Sequence, residues 1–536
     1  MELQFIGADH EVTGSCHYLH VGSRHILVDY GMEQGKNLFE NAPLPVKPEN
    51  IDYVFLTHAH VDHTGMLPKL YAEGFRGRVL CTRATGDLTD IMLRDSAHLQ
   101  AQEAEYRSKK AGVRGSAAES RPEYTMQDAL NLLQLLEVYP YEERYTLDES
   151  ISFRFTDVGH LLGSASIELW LKERGEERLI VFSGDIGNLN QPLLRDPQLT
   201  KAADYVVMES TYGTRLHEKV ETDHMLQLAK IIRETLARGG NVVIPAFAVG
   251  RTQVMLYFIR QMKEQGLVPE HPDFPVYVDS PMAVEATGVF SRNETECYDE
   301  EAQELIRRGI NPLSFPNLHL SITTDESRAI NDDDEPKVII SASGMCDAGR
   351  IRHHIRHNIE NPASAILFVG YQAEGTFGRR LLDGAAKVKL FGREYAVQAQ
   401  IVRMDGMSGH GDQRELLDWI HGFEKPLHQV FVVHGDDETA TAFAEMLTQE
   451  HGLKAMAPYS GTSYDLIRGE FIRIAKPKRI VKGDGEAVRG ASDSYTKLQI
   501  AAKRLEALVG SKKGLPNKEL EVLTKEINNL CRKYEA

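Results

Sequence analysis

The sequence has few cysteines and no long apolar run, and its basic residues are outnumbered by acidic ones. Its five cysteines are scattered and form no Cys-x-x-Cys pair, which argues against a disulfide framework and predicts reduced thiols in a cytoplasmic protein. No apolar stretch approaches the ~18 residues of a membrane span, so we expect no membrane association. The opening residues MELQFIGADHEVTGS lack a basic segment followed by an apolar one, so we expect no signal peptide.

The charge of the chain is negative overall but unevenly spread. A net charge of −17 argues against a protein that coats nucleic acid through bulk electrostatics. Residues 471–536, however, hold 15 Lys and Arg against 8 Asp and Glu, so this tail is basic and the rest of the chain is more acidic than the total suggests. A local basic groove and a carboxylate-rich metal site are both compatible with this distribution.

Short β-rich segments alternate with helical patterns along much of the chain. Helical spacing is clear over residues 223–237 and 251–265. This alternation predicts an α/β protein with large layered sheets, and the continuous apolar segments are typical of strands buried on both faces. The predicted strands are residues 2–6, 25–29, 51–57, 151–156, 179–182, 204–208, 241–245, 276–279, 337–342, 365–370 and 429–433.

Three further stretches have a different character. Residues 103–124 are polar with Gly, Ser and Pro, and predict a mobile surface loop after a helix. Residues 331–335 predict an acidic turn before a strand. From about residue 490, apolar residues at helical spacing on both sides of a Gly-Leu-Pro break at 514–516 predict two short amphipathic helices.

The strongest local signal is a cluster of ligand-type side chains directly after the predicted strand at 51–57. It reads His58-Ala-His60-Val-Asp62-His63. Imidazole and carboxylate groups suit zinc and similar divalent metals. On a turn that leaves a strand, His58 and His60 can face one ion while Asp62 and His63 face a second.

Matching side chains follow other predicted strands further along the chain. His160, Asp185 and His434 each lie beside a glycine that lets the backbone approach closely. Together with residues 58–63 they complete two coordination shells. Asp29 ends the strand at 25–29, where it either hydrogen-bonds a ligating histidine or simply forms a turn.

These residues, in this order, resemble the metallo-β-lactamase superfamily, whose HxHxDH signature matches residues 58–63. The resemblance implies two zinc ions per chain with a hydroxide between them as the nucleophile. It assigns one ion to His58, His60, His160 and Asp185. It assigns the other to Asp62, His63, His434 and a bridging Asp185.

The long stretch between Asp185 and His434 is similar to the β-CASP branch, which includes ribonuclease J and the endonuclease of eukaryotic pre-mRNA 3′-end processing. The similarity is carried by Glu-Ser-Thr-Tyr-Gly at 209–213, Pro-Ala-Phe-Ala-Val-Gly-Arg at 245–251, Asp-Ser-Pro-Met-Ala at 279–283, Ser-Ala-Ser-Gly-Met at 341–345 and Gly-Tyr-Gln at 370–372. It implies an αββα sandwich with an inserted α/β cap. The expected domains are 1–202 and 396–475 for the sandwich, 203–395 for the cap and 476–536 for a helical extension.

Three further motifs of the branch are present and indicate ribonuclease chemistry. Glu209 matches the acidic motif A, His410 motif B and His434 motif C. RNA-acting members typically carry His at motif C and DNA-acting members Val, so His434 favours single-stranded RNA as the substrate. The resemblance makes His410 the general acid, oriented by Glu209, with Asp62 also in the catalytic set.

Phosphate groups need donors, and two small-residue turns are candidates. Ser341, Ser343 and Gly344 follow one predicted strand, while Gly375 and Thr376 follow another. Four arginines beside these turns either pair with RNA phosphates or have structural roles; they are Arg251, Arg350, Arg379 and Arg380.

Other functions stay open from sequence alone. A small-molecule metallohydrolase acting on a lactone, thioester or β-lactam shares the HxHxDH signature, but does not need Glu209, His410 or residues 341–345. A non-catalytic RNA-binding subunit and a DNA nuclease are further alternatives. The basic tail adds RNA affinity or packs on the body or on a second subunit of a homodimer, and its apolar stripe favours packing.

Overall fold

The structure is a computed structural model that describes residues 1–480 except 36, 112–120 and 218–222, together with positions 509, 520, 521, 524, 525, 527 and 528. The chain divides into two compact units, residues 1–478 and 479–536. Of the two amphipathic helices predicted in the second unit, only the helical positions just named are described, so that prediction stays a prediction. Within the described part of the chain, no helix combines the length and apolarity that a membrane crossing requires.

The strands of the first unit are numbered in chain order. They are β1 (Glu2–Gly7), β2 (Cys16–Val21), β3 (Arg24–Val28), β4 (Tyr53–Phe55), β5 (Arg78–Thr82), β6 (Leu136–Tyr139), β7 (Tyr145–Thr146), β8 (Ile151–Asp157), β9 (Ala165–Glu173), β10 (Glu176–Phe182), β11 (Tyr205–Glu209), β12 (Val242–Pro245), β13 (Val276–Asp279), β14 (Leu318–Ser321), β15 (Val338–Ser341), β16 (Ala365–Phe368), β17 (Lys387–Leu390), β18 (Arg393–Ala396), β19 (Gln400–Arg403), β20 (Gln429–Val433), β21 (Ala455–Met456), β22 (Ser463–Asp465) and β23 (Glu470–Arg473).

The helices of the first unit connect these strands. They are α1 (Val61–Thr64), α2 (Leu67–Ala72), α3 (Arg83–Ala111), α4 (Met126–Leu133), α5 (His224–Ala237), α6 (Arg251–Glu264), α7 (Pro281–Arg292), α8 (Glu294–Cys297), α9 (Glu300–Arg307), α10 (Thr324–Asp332), α11 (Ile351–Asn358), α12 (Phe377–Leu382), α13 (Gln413–His421) and α14 (Asp437–Gln449). One 3-10 turn spans Pro48–Asn50.

Two sheets face each other across an aromatic core. The first sheet has the order β23-β22-β1-β2-β3-β4-β5-β6, and the second has the order β21-β20-β11-β10-β9-β8-β7. Phe5 and Phe55 from the first sheet pack with Phe153, Phe182 and Phe431 from the second. Alternation along each strand sends the intervening apolar side chains to the opposite face, where they need a second cover.

Helices supply that cover on both outer faces. Leu67 of α2, Leu93 of α3 and Leu132 of α4 pack on the first sheet. Trp419 of α13 and Phe443 of α14 pack on the second. The layers therefore run helix, sheet, sheet, helix, which confirms the predicted αββα sandwich.

A third sheet is built from the chain between β11 and β20. Its order is β14-β13-β15-β12-β16-β19, and the pairings along it are parallel. Helices α5, α6 and α7 pack on one face, and α10, α11 and α12 pack on the other. Burial on both faces explains why strands such as Val242–Pro245 are continuously apolar. This is the inserted α/β domain that was predicted.

Strand membership differs slightly from the expected domain limits. Strand β11 (205–209) pairs with β10 and β20 in the second sheet, and β19 (400–403) pairs with β16 in the third. Each strand thus lies a few residues past the predicted change at 203 or 396. The predicted domain limits themselves stay a prediction.

The surface loop predicted at 103–124 is wrong in its first part. Helix α3 continues to residue 111, so residues 103–111 are helical. Glu, Lys, Arg and Ala in this stretch are strong helix formers, and polarity alone misleadingly indicated a loop. Residues 112–120 lie outside the described residues.

Candidate active site

The turn at residues 58–63 lies just beyond the end of β4 and is held mainly by backbone hydrogen bonds. The amide of Tyr30 donates to the carbonyl of His63 (2.8 Å), and the amide of Ser15 donates to the carbonyl of Asp62 (2.8 Å). Gly31 passes so close that a Cβ atom there would lie 1.6 Å from the carbonyl oxygen of Asp62. The segments just before β2 and just after β3 therefore hold this turn in place through the backbone.

One group of four ligand-type side chains converges from three separate segments. His58, His60, His160 and Asp185 each offer an atom within 4.8 Å of the others. His58 Nε2 lies 3.0 Å from His60 Nδ1, and His160 Nε2 lies 3.3 Å from the same atom. Four converging lone-pair donors are what a tetrahedral metal site needs.

A second group lies beside the first. Asp62, His63 and His434 offer atoms within 4.8 Å of one another. The Nε2 atoms of His63 and His434 are 3.2 Å apart, and Asp62 Oδ2 is 3.7 Å from His434 Nε2. The structure thus brings together the seven residues that were predicted as metal ligands.

Asp185 faces both groups with different oxygens. Its Oδ2 lies 3.5 Å from Nε2 of His58 and 3.5 Å from Nε2 of His160. Its Oδ1 lies 3.4 Å from Nε2 of His63 and 3.6 Å from Nε2 of His434. One carboxylate therefore stands between the two groups, as a bridging ligand must.

The donor set fits a pair of metal ions. Asp185 Oδ1 is buried and has no hydrogen-bond partner among the described residues, although burying an unpaired charge is costly. Burial lowers the pKa of His58, His60 and His160, which favours the neutral imidazole that binds metal. Five imidazoles and two carboxylates suit zinc better than magnesium or calcium.

The ring nitrogens that point away from the cluster also have partners. His63 Nδ1 lies 2.7 Å from Asp29 Oδ2, as the sequence suggested. His160 Nδ1 lies 3.1 Å from the carbonyl of Gly409, and His434 Nδ1 lies 3.1 Å from Thr211 Oγ1. Such contacts fix the tautomer and the ring orientation of each imidazole.

Sequence reasoning missed Thr211 and the carbonyl of Gly409. Their neighbours, Glu209 and His410, were singled out, but nothing in residue type marks a backbone carbonyl as a partner. Asp29 and His434 share an unusual backbone, with φ of 60° and 49°. Asp and His tolerate this left-handed region better than branched residues do.

His410 and Glu209 form a pair at the edge of the cluster. His410 Nδ1 lies 3.2 Å from both Glu209 oxygens and 4.0 Å from Asp185 Oδ2. Burial alone would lower the pKa of His410, but the charge and hydrogen bond of Glu209 outweigh it and raise the pKa to about 9. The protonated form of the imidazole is therefore favoured beside the candidate metal ligands.

Glu209 is itself held in place by the backbone. Its Oε1 accepts from the amide of Ile186 (2.6 Å), and its Oε2 accepts from the amide of Thr211 (3.3 Å). Because Ile186 directly follows Asp185, the same short segment positions both the bridging carboxylate and the carboxylate that faces His410.

The predicted phosphate-binding turns lie at strand ends of the third sheet, but several of their groups are already engaged. Ser341 Oγ is buried and donates to the carbonyl of Asp279 (2.8 Å). Thr376 caps α12 by accepting from the amide of Arg379 (3.2 Å), beside Gly375. Ser343 Oγ exchanges hydrogen bonds with the backbone of Ala348.

The four arginines near these turns differ in their partners. Arg350 Nη1 donates to the buried carboxylate of Asp279 (2.7 Å), and Arg379 Nε donates to Asp383 (2.8 Å). Arg380 lies over the ring of Phe377. Arg251 donates to the carbonyl of Met407, near His410. An RNA-binding role for these arginines, and for Ser341, Ser343, Gly344, Gly375 and Thr376, stays a prediction.

Comparison with known proteins places these residues in a family context. Three family models match: the metallo-beta-lactamase superfamily over residues 11–114, the Beta-Casp domain over 252–381, and the Zn-dependent metallo-hydrolase RNA specificity domain over 394–458. The last of these contains His410 and His434.

Curated relatives align over most of the chain. Ribonuclease TTHA0252 of Thermus thermophilus is 37% identical over 83% of this chain and 96% of its own length. The transcription termination factor FttA of Methanocaldococcus jannaschii is 30% identical over 83% of this chain and 68% of its own. An RNase J-like protein of the same archaeon is 29% identical over 86% of this chain and 98% of its own.

Proposed function

The chain belongs to the β-CASP family of the metallo-β-lactamase superfamily, and we propose that it is a zinc-dependent ribonuclease that hydrolyses RNA phosphodiester bonds in RNA processing or degradation. The observation that carries this proposal is the position of Asp185, with one oxygen toward each group of histidines and with the His410–Glu209 pair alongside. That combination serves the hydrolysis of an anionic ester.

Two metal ions are assigned to the two groups of ligands. His58, His60 and His160 would hold one, His63, His434 and Asp62 would hold the other, and Asp185 would serve both. When bound, zinc ions supply a hydroxide nucleophile at neutral pH and stabilise the charge that builds at phosphorus. Asp29 orients His63, as it already does by hydrogen bond.

His410 is assigned the proton transfer to the leaving group. A ribose oxygen departs poorly as an alkoxide, so protonation during bond cleavage accelerates the step. With Nδ1 directed at Glu209, the Nε2 atom of His410 is the proton donor. Glu209 is buried, and its role is to hold the imidazolium in place rather than to exchange the proton itself.

The relatives support RNA as the substrate. One carries the name ribonuclease and another the name RNase J-like protein. His434 at motif C agrees with that preference. The cap and the His410–Glu209 pair give no advantage to an enzyme that opens a lactone or thioester, so we rank that alternative second.

The test is cleavage of single-stranded RNA labelled separately at each end, with a DNA of matched sequence and a small panel of thioesters and lactones. Zinc-loaded protein should cut the RNA, and the two labels will show whether cutting is internal or proceeds from one end. Asp62→Ala should abolish cutting while circular dichroism shows a retained fold.

Three results would count against the proposal. They are unchanged RNA cleavage by Asp62→Ala, turnover of a thioester or lactone without RNA cleavage, and cleavage of DNA in preference to RNA. Glu424→Gln, an exposed change on the same sandwich, is the matched control and should behave as wild type.

A further inference from the structure

Exposed aromatic rings are rare in the part of the chain that the structure describes. Among the described residues, only three Phe, Tyr or Trp side chains are more than about a third exposed: Phe247 (46%), Tyr371 (63%) and Phe391 (48%). Phe391 is partly covered, because His353 stacks on its ring with centroids 4.5 Å apart. An exposed aromatic ring offers a free π-face, on which a nucleobase can stack.

Phe247 and Tyr371 lie at neighbouring strand ends of the third sheet. Phe247 follows β12 and Tyr371 follows β16, and these strands are paired in parallel. The turn with Ser343 and Gly344 follows β15, which pairs with the other side of β12. Since adjacent strands are about 4.8 Å apart, the two rings and this turn share one edge of the sheet.

Direct contacts tie this edge together. A Cβ atom on Gly344 would lie 3.1 Å from Cδ2 of Phe247, so one side of the ring rests on this glycine. Gln372, next to Tyr371, donates to the carbonyl of Gly344 (2.9 Å). The backbone of the turn, which presents no side chain at Gly344, thus contacts Phe247 on one side and Gln372, the neighbour of Tyr371, on the other.

The loop after β12, at residues 247–251, contacts the segments that carry His160 and His410. A Cβ atom on Gly250 would lie 3.3 Å from Cδ1 of Leu161, the residue after His160. Arg251 donates to the carbonyl of Met407, three residues before His410. Residues 247–251 therefore connect the exposed ring of Phe247 to the side of the candidate active site where the rings of His160 and His410 lie 4.4 Å apart.

We propose that Phe247 is a stacking platform for a nucleobase of single-stranded RNA next to the cleaved phosphate, and that Tyr371 stacks on a further base of the same strand. The inference rests on the proposed ribonuclease function and adds how the substrate is held. Every base has a π-face, so such a platform binds RNA with little sequence preference. It also favours unpaired strands, whose bases are free to stack on a side chain.

The test combines protein variants with abasic substrates. Wild type, Phe247→Leu and Phe247→Trp are assayed on a set of RNA oligonucleotides that each lack one base at a different position around the cleavage site. Leucine at position 247 keeps the apolar character but has no π-face. Tryptophan at the same position keeps a π-face. Phe391→Leu is the matched control, because this exposed ring follows β17 of the separate two-stranded sheet and is stacked on His353.

Wild type should lose about 5- to 150-fold in kcat/KM when one particular base is missing, and Phe247→Leu should be insensitive to that same deletion. Phe247→Trp should regain the sensitivity, and Phe391→Leu should keep the wild-type profile. Tyr371→Leu should remove sensitivity at a second position. A variant that merely damages the fold would lower activity on all oligonucleotides equally.

The inference is overturned if Phe247→Leu keeps the wild-type dependence on every base, or slows all substrates by one common factor. Fluorescence anisotropy with the same oligonucleotides provides a readout without cleavage. Protein that binds intact RNA through a base contribution that depends on Phe247, yet cleaves none, would reject the nuclease proposal and retain this one. RNA cleavage without any base contribution from Phe247 would support the nuclease proposal and reject the stacking proposal.

Discussion

The Nδ1 atom of His410 lies 3.2 Å from each carboxylate oxygen of Glu209, although 201 residues separate the two in the chain. The carboxylate is buried and fixed by two backbone amides, whereas the imidazole is partly open to the cleft. A rigid anion behind a more accessible imidazole is the arrangement expected of an oriented general acid.

This pairing predicts the behaviour of variants. Glu209→Gln keeps the side-chain shape but removes the charge that holds the imidazolium, so kcat on RNA should fall about 100- to 10,000-fold, the usual contribution of a general acid. His410→Ala should lose a similar factor, and the double variant should be no worse than the worse single one. Single-turnover cleavage with equal zinc content in all variants is the measurement. If the factors lost by the two single variants multiply in the double variant, Glu209 and His410 do not act as one unit.

The position of Asp185 between the two groups of histidines leads to a prediction of how many zinc ions the chain retains. Asp185→Asn removes the one charge placed between the two groups of histidines, so zinc retained after dialysis should fall from two ions per chain to one or fewer. Elemental analysis measures this, and Asp325→Asn, an exposed change on α10, is the control. A variant that still retains two ions would show that this carboxylate is not a shared ligand.

The contact of Asp29 with His63 leads to a prediction of a smaller loss of zinc affinity. Asp29→Asn keeps the size of the side chain and tolerates the left-handed backbone at this position, but weakens the contact to His63 Nδ1. Loss of such an outer partner typically costs about 10- to 100-fold in metal affinity. Competition with a zinc chelator measures this affinity. Unchanged affinity would make Asp29 a turn residue with no influence on the metal.

The buried carboxyl of Asp157 leads to a prediction that the free energy of unfolding depends on pH, independently of catalysis. Burial raises the pKa of this carboxyl to about 7, so the folded chain keeps a proton that the unfolded chain releases above pH ~3.9. Its effect on stability is most favourable below pH ~4 and declines as the pH rises to about 7, by on the order of 4 kcal/mol at most.

Asp157→Asn should remove this decline. The amide oxygen can still accept from the amide of Gly159, as the carboxyl does at 2.9 Å. Apparent urea midpoints at pH 5 and pH 8 measure the effect, and the gap between variant and wild type should widen at the higher pH. Parallel midpoints at both pH values would show that the carboxyl does not titrate with folding.

Much of the metal cluster was accessible from sequence because its signals are local. An apolar strand followed by His58, or by His434, places a ligand at a strand end, where parallel strands bring such residues together. The limits of β13 and β20 were predicted to the residue, since Pro275 and Ser280-Pro281 bound β13 and His434-Gly435 follows β20. The separation of His58 and His60 from Asp62 and His63 came from the geometry of the turn, whereas the assignment of His160, Asp185 and His434 to the two groups rested on the resemblance.

What sequence could not supply depends on long-range packing. Nothing local distinguishes Phe247, which is exposed, from the many phenylalanines that fill the core. The pairing of Arg350 with Asp279 uses a residue that was a candidate for phosphate binding and gives it a structural partner 71 positions away. Helix α3 extends beyond its predicted end. A polar sequence of strong helix formers is compatible with a helix or a loop, and tertiary contacts determine which one forms.

His434 directly follows β20, the strand that pairs with β11, so the candidate site is completed only late in the synthesis of the chain. A nascent chain emerging from the ribosome exposes residues 58–185 first, yet it still lacks His410 and His434. The intervening ~250 residues take roughly 12–50 s to translate. Until His410 and His434 have been synthesised, the growing polypeptide lacks two of the side chains on which the proposed hydrolysis depends, so we expect RNA cleavage only after nearly the whole chain has been made.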